Sequence, residues 1–128
     1  MKLIDTVVTV GFLSPTDKVH GRASEHIASL SAGSGVLVPA STLLETDLVM
    51  KIRGYTEAER RTSWNALESA ITREKLIPNS TSSLRDAIPL QENGMDYFDS
   101  LIASLAIENG SSVITTDKRI AASVESEW

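Results

Sequence analysis

Residues 96–118 read DYFDSLIASLAIENGSSVITTDK. The first part sets Phe98, Leu101, Ile102 and Leu105 at helical spacing and runs out at Gly110, where the left-handed residue that closes a helix belongs. The second part, Ser112 to Thr115, is a short apolar run of strand type, and Asp117 stands just beyond it. A helix from about Asp96 to Asn109 that delivers the chain directly into a buried strand is the repeating unit of a parallel sheet covered by helices.

The same alternation extends outward. Lys2 to Ile4 and Val36 to Val38 are further short apolar runs, with a weaker one at Leu76 to Ile77. Helical period predicts a helix opening at Ser14-Pro15 with the stripe Val19, Ala23, Ile27 and Leu30, Ser14 serving as cap and Pro15 as first helical residue. Another helix carries Leu44, Leu48 and Ile52 inward before Gly54 stops it, and the next, from Thr56, carries Trp64, Leu67 and Ile71. A short helical piece spans Leu84 to Ile88 and breaks at Pro89. The expected fold is α/β, a three-layer α/β/α sandwich with a short central parallel sheet, in one domain over residues 1–128.

Composition narrows the function classes. The chain is 41% hydrophobic and 23% charged, as in a soluble globular protein, and no apolar run is long enough to span a bilayer. No secretion signal is legible, and the absence of cysteine excludes disulfides and thiolate metal sites, which fits a cytoplasmic protein with no membrane partner. A net charge of −5 argues against a broad basic face for nucleic acid. A local rim of Lys51, Arg53, Arg60, Arg61, Lys118 and Arg119 is what such binding would require.

Four acids stand where acids are costly. On a helix, positions three, four and seven residues on share a face with the first. From Asp5 that face holds Val8, Thr9 and Phe12; from Glu45, Leu48, Val49 and Ile52; from Asp99, Ile102, Ala103 and Ala106; from Asp117, Ile120, Ala121 and Val124. Each acid is thus aimed along an apolar stripe. Capping explains an acid near a helix start, and Thr42-x-x-Glu45 has the spacing of a capping box. Thr56-x-x-Glu59 has the same spacing with Glu59 on a polar face, so capping alone gives no reason to aim Glu45 inward. Carboxylates gathered away from water need a counter-cation, and oxygen donors without cysteine or histidine select Mg²⁺ or Mn²⁺.

These residues resemble the PIN-domain nucleases, and among them the VapC-type toxins of toxin–antitoxin pairs. Leu3-Ile4-Asp5-Thr6 resembles the opening strand and first acid of that family, and Val38 through Glu45 the strand, turn and helix bearing the second. Tyr97 through Ala103 is similar to the third-acid helix, and Gly110 through Lys118 to the last strand and fourth acid. Val7 departs from the Asn or Ser frequent at that place. The resemblance implies a metal-dependent endoribonuclease with Asp5 and Asp99 as direct ligands of Mg²⁺ or Mn²⁺. Asp117 would complete the metal shell, Glu45 would ligate a second ion or orient the attacking water, and Thr6 and Thr115 would hydrogen-bond the carboxylates. It also implies RNA as substrate, an antitoxin partner and a homodimer. An RNA-processing nuclease outside any toxin–antitoxin pair and a catalytically silent binding module are the alternatives.

The remaining polar candidates have plainer readings. His20 and His26 are expected on a solvated surface, Arg60 and Arg61 on a solvated face, and Asp96 as a helix N-cap. Trp64 reads as core, while exposure of Trp64, Met50 or Trp128 would mark an interface.

Overall fold

The computed structural model describes residues 1–31 and 33–128. Strands β1 (Lys2–Ile4), β2 (Val36–Pro39), β3 (Leu76–Ile77), β4 (Ser112–Ile114) and β5 (Ser126–Glu127) form one parallel sheet in the order β3-β2-β1-β4-β5. Helices α1 (Thr6–Leu13), α2 (His20–Ala28), α3 (Ala40–Ile52), α4 (Glu57–Ala70), α5 (Thr81–Glu92), α6 (Tyr97–Asn109) and α7 (Lys118–Ser123) supply the crossovers and flanks. This is the α/β architecture with a parallel central sheet that the alternation predicts.

Adjacent strand residues face opposite layers, and the core divides accordingly. Leu3 and Val113 pack with Ile102, Leu105 and Ala106 of α6 and Ile120 of α7. Ile4, Ile114, Val36 and Val38 pack on the other face with Val8, Ala23, Ile27, Leu67 and Ile71. Each fully buried Leu or Ile contributes about 2 kcal/mol of transfer free energy, enough to hold strands this short. Gly11 allows α1 and α2 to touch: a Cβ there would lie 2.9 Å from Val19 Cγ2 and 3.0 Å from the Ala23 Cβ.

Several helix boundaries differ from the sequence reading. Ser14 does not open a helix; it closes α1, its N–H donating to Gly11 O, and the next helix starts at His20. Pro89 does not break α5, which continues to Glu92; its ring sits on the exposed side, where Arg85 O can lose its intrahelical donor to water. The edge strand β5 has no apolar signature and was not expected.

The largest revision concerns α3. Leu44, Leu48 and Ile52, expected in the core, are 66%, 43% and 75% exposed. The inward face is instead Ser41, Thr42, Thr46 and Met50. Thr46 is fully buried; its hydroxyl lies 2.6 Å from that of Thr9 on α1 and 2.7 Å from Thr42 O. Hydroxyls that find partners inside are tolerated there, and small ones bring α3 close to α1.

Candidate metal centre

Beyond the carboxyl ends of β1 and β4 the chain direction across the sheet reverses, since β2 and β3 lie to one side of β1 and β4 and β5 to the other. Such a crevice is where open parallel sheets bind ligands. Asp5 follows β1 directly. Its N–H donates to Ile114 O at 3.1 Å, and its carboxylate accepts from Thr6 N at 2.8 Å and from the Thr115 hydroxyl at 2.6 Å. Asp5 therefore caps α1 while remaining tied to the end of β4.

Glu45 comes from α3 and accepts a hydrogen bond from the Thr6 hydroxyl. The supposed capping box around it is absent: α3 starts at Ala40, so Thr42 is already helical, and its hydroxyl donates to Ile4 O at 2.8 Å. Thr56 and Glu59 do form the reciprocal box on α4. Asp99 enters from the first turn of α6.

The structure brings Asp5, Glu45 and Asp99 together, each offering an oxygen within 4.8 Å of the others'. Asp117 stands outside that set. It is the N-cap of α7, accepting from Arg119 N at 2.8 Å and Ile120 N at 3.1 Å, so for this acid the capping explanation holds. Its charge is still felt at all three neighbours.

Burial is the main cause of the electrostatic strain. It raises the Asp5 carboxyl above its ordinary range, against the pull of the bonds from Thr115 and Thr6, with Asp117 adding to the rise. Glu45 is raised by burial, relieved by Thr6, and raised again by Asp5, Asp96 and Asp117. Asp99 is pushed up to about 7, first by burial and then by the charges of Asp117, Asp5, Glu45 and Asp96, with no hydrogen bond among the described residues to offset them. Asp96 is thus the acid whose part was underestimated. Its backbone occupies the N-cap position of α6 but its side chain makes no cap bond, and its carboxylate adds to the negative field. Its place three residues before Asp99 was the available signal.

The basic rim does not converge as a free surface. Arg60 is engaged by both carboxylate oxygens of Asp47 at 2.8 and 3.0 Å, which also accepts from Trp64 Nε1 at 3.0 Å. Arg61 pairs with Glu57, Arg119 donates to Gly94 O, and Lys51 and Arg53 are exposed on the far end of α3. Lys118 and Arg119 follow Asp117 directly in sequence, at the start of α7.

Of the other residues weighed from sequence, His26 is buried against Trp128, not solvated, and burial lowers its pKa, with Arg22 adding to the effect. His20 is half-buried, its Nδ1 2.9 Å from Gly11 O. Met50 is buried, and Trp64 and Trp128 are only partly exposed, so none of the three marks an open interface.

The PIN domain family model matches residues 2–124. The chain belongs to the PIN domain family. No curated protein matches its sequence. Solved structures resemble it closely in fold at low identity. The VapC20 toxin of Mycobacterium tuberculosis, described as cleaving the sarcin–ricin loop, superposes with a TM-score of 0.75 at 15% identity over 95% of this chain and 94% of its own. The FitAcB structure from Neisseria gonorrhoeae gives 0.74 at 20% identity over 98% and 96%. VapBC2 from Rickettsia felis, bound to a promoter DNA fragment, gives 0.70 at 15% identity over 99% and 98%. In this PIN domain, among the described residues, no helix is long and apolar enough to cross a membrane.

Proposed function

We propose that this PIN domain, as one unit over residues 1–128, is a metal-dependent endoribonuclease that hydrolyses RNA phosphodiester bonds as the toxin of a toxin–antitoxin pair in the cytoplasm. The observation that carries the reading is the meeting of Asp5, Glu45 and Asp99 within 4.8 Å. None of the three takes part in an ion pair among the described residues. Crowded carboxylates whose proton affinities are all raised are what a hard divalent cation would relieve, and an all-oxygen donor set fits Mg²⁺ or Mn²⁺.

Asp5 and Asp99 are assigned as direct ligands. Glu45 holds a second ion or orients the attacking water, and Asp117 reaches the shell through its field or an intervening water. Thr115 and Thr6 fix the Asp5 and Glu45 oxygens by donating to them. When bound, the ion supplies Lewis-acid activation of water and charge stabilisation at the phosphate. Lys118 and Arg119, which follow Asp117 in sequence, are assigned to the RNA backbone.

The toxin role and RNA as substrate draw support from the fold neighbour described as a toxin that cleaves the sarcin–ricin loop. We assign the homodimer contact to the exposed Leu44, Leu48 and Ile52 stripe of α3, which a two-fold axis would pack against itself. Incubating labelled RNA with pure protein in Mn²⁺, in Mg²⁺ and in EDTA tests the central reading. Cleavage that needs the ion and disappears in Asp5→Asn and Asp99→Asn is expected; equal cleavage in EDTA would overturn the metal dependence, and none under any condition would support the silent binding module instead.

A further inference from the structure

The edge strand β5 lies remote in sequence from the first acid, yet one short path of bonds connects them. Glu127 O accepts from Thr115 N at 2.9 Å, and Glu125 O accepts from Val113 N at 2.9 Å, so β5 holds the last residues of β4 from their outer side. The Thr115 hydroxyl then donates to Asp5 Oδ2 at 2.6 Å and accepts from Asp117 N at 2.9 Å. One threonine therefore joins the edge strand, the first acid and the fourth.

A two-residue strand does not hold itself in place. Three tethers hold this one. The Glu127 carboxylate pairs with Lys2 Nζ at 2.9 Å, at the start of the strand that delivers Asp5. Trp128 O accepts from Arg22 at 3.2 Å. The Trp128 ring packs on the core of the α2 face and lies tilted over His26, centroids 5.2 Å apart. The first two tethers are exposed ion or charge contacts of small worth, so the indole is the main anchor.

We infer that Trp128 is a positioning residue for the metal centre: by docking β5 it fixes the Thr115 backbone, and through the Thr115 hydroxyl it sets the rotamer of Asp5. This rests on the nuclease reading above. A carboxylate free to swing loses part of its preorganisation for a cation, and removing outer partners of this kind typically lowers metal affinity about 10- to 100-fold.

The test is a double-mutant cycle on the metal-free full chain, read by Mn²⁺ titration calorimetry and by amide hydrogen exchange. Trp128→Ala should speed exchange at the Thr115 amide and weaken Mn²⁺ binding by about tenfold. Trp128→Phe should restore most of both, which guards against a merely unfolded alanine variant. Thr115→Val should weaken Mn²⁺ binding to a similar extent with β5 still docked. The double variant should bind no more weakly than Thr115→Val alone, because the effect of Trp128 passes through that hydroxyl. Losses that multiply in the double variant, or an unchanged Thr115 amide in Trp128→Ala, would overturn the inference while leaving the nuclease reading intact. A wild type that binds no Mn²⁺ overturns both.

Discussion

The Thr6 hydroxyl donates to the Glu45 carboxylate, joining the first turn of α1 to the middle of α3. Among the described residues it is the one donor that lowers the proton affinity of Glu45 against burial and three neighbouring acids. Thr6→Val, nearly isosteric, should raise the Glu45 pKa further and weaken Mn²⁺ binding roughly tenfold, a charge-assisted bond being worth about 1.5–3 kcal/mol. Thr6→Ser should retain wild-type affinity. Calorimetric titration of the two variants checks the pair, and equal affinity in Thr6→Val would remove Thr6 from the site.

Asp99 makes the metal-free fold sensitive to pH. Its folded pKa is about 7 against an ordinary 3.8, so between those values the native state holds a proton that the unfolded chain has released. Stability must then fall as pH rises through this window, and the full penalty is present above it. His26, with its lowered pKa, acts in the opposite sense near neutrality, so the comparison that isolates Asp99 is wild type against Asp99→Asn. In EDTA the two should melt at similar temperatures near pH 4.5, with the variant higher by several degrees at pH 8. Parallel melting curves across that range would contradict the assignment.

Adding metal should reverse the order. At pH 8 a saturating excess of Mn²⁺ stabilises only the protein that binds it, so wild-type Tm should rise strongly and Asp99→Asn little. Cleavage of RNA should be lost in the same variant. A Tm gain equal in the two proteins would mean that the ion sits elsewhere.

Asp47, two residues beyond Glu45 on α3, offers a control. It accepts from Arg60 and from Trp64, and these bonds hold its pKa below the usual carboxylate range. Asp47→Ala leaves the indole N–H without its acceptor and should cost about 1 kcal/mol of stability. Mn²⁺ affinity should stay unchanged, since Asp47 takes no part in the acid cluster.

For the homodimer, Leu48→Glu together with Ile52→Glu should yield a monomer by sedimentation while leaving the fold intact, because both side chains are exposed. A dimer that survives both changes must use another surface.

The central strands were legible because their residues are buried on both faces of the sheet, Leu3 and Val113 on one and Ile4 and Val38 on the other, and carry no compromise with solvent. The convergence of acids was legible in part for a related reason: Asp5 and Asp99 are each placed against a packed face, which ordinary surface acids are not. The stripe test nevertheless succeeded at Glu45 on a false premise. Leu48 and Ile52 face outward, and what α3 turns inward is threonine and serine. Hydrophobic period cannot register a face whose polar groups satisfy one another, as Thr9 and Thr46 do. Nor can it register β5, since Ser126 and Glu127 bring no apolar side chain to the sheet. Asp117 lay between two readings because one carboxylate can cap a helix and still bias its neighbours by charge.

The three-residue length of β1 has a consequence for how this chain can change. Leu3 and Ile4 feed opposite cores, and Asp5 is the very next residue. Inserting or deleting one amino acid ahead of Asp5 would exchange the two cores' side chains and turn the carboxylate from the crevice toward a hydrophobic layer. Substitutions can be absorbed here one at a time, but a shift in reading of the ladder cannot, so length variation in descendants of this sequence should fall in the connections and spare the segment from Lys2 to Thr6.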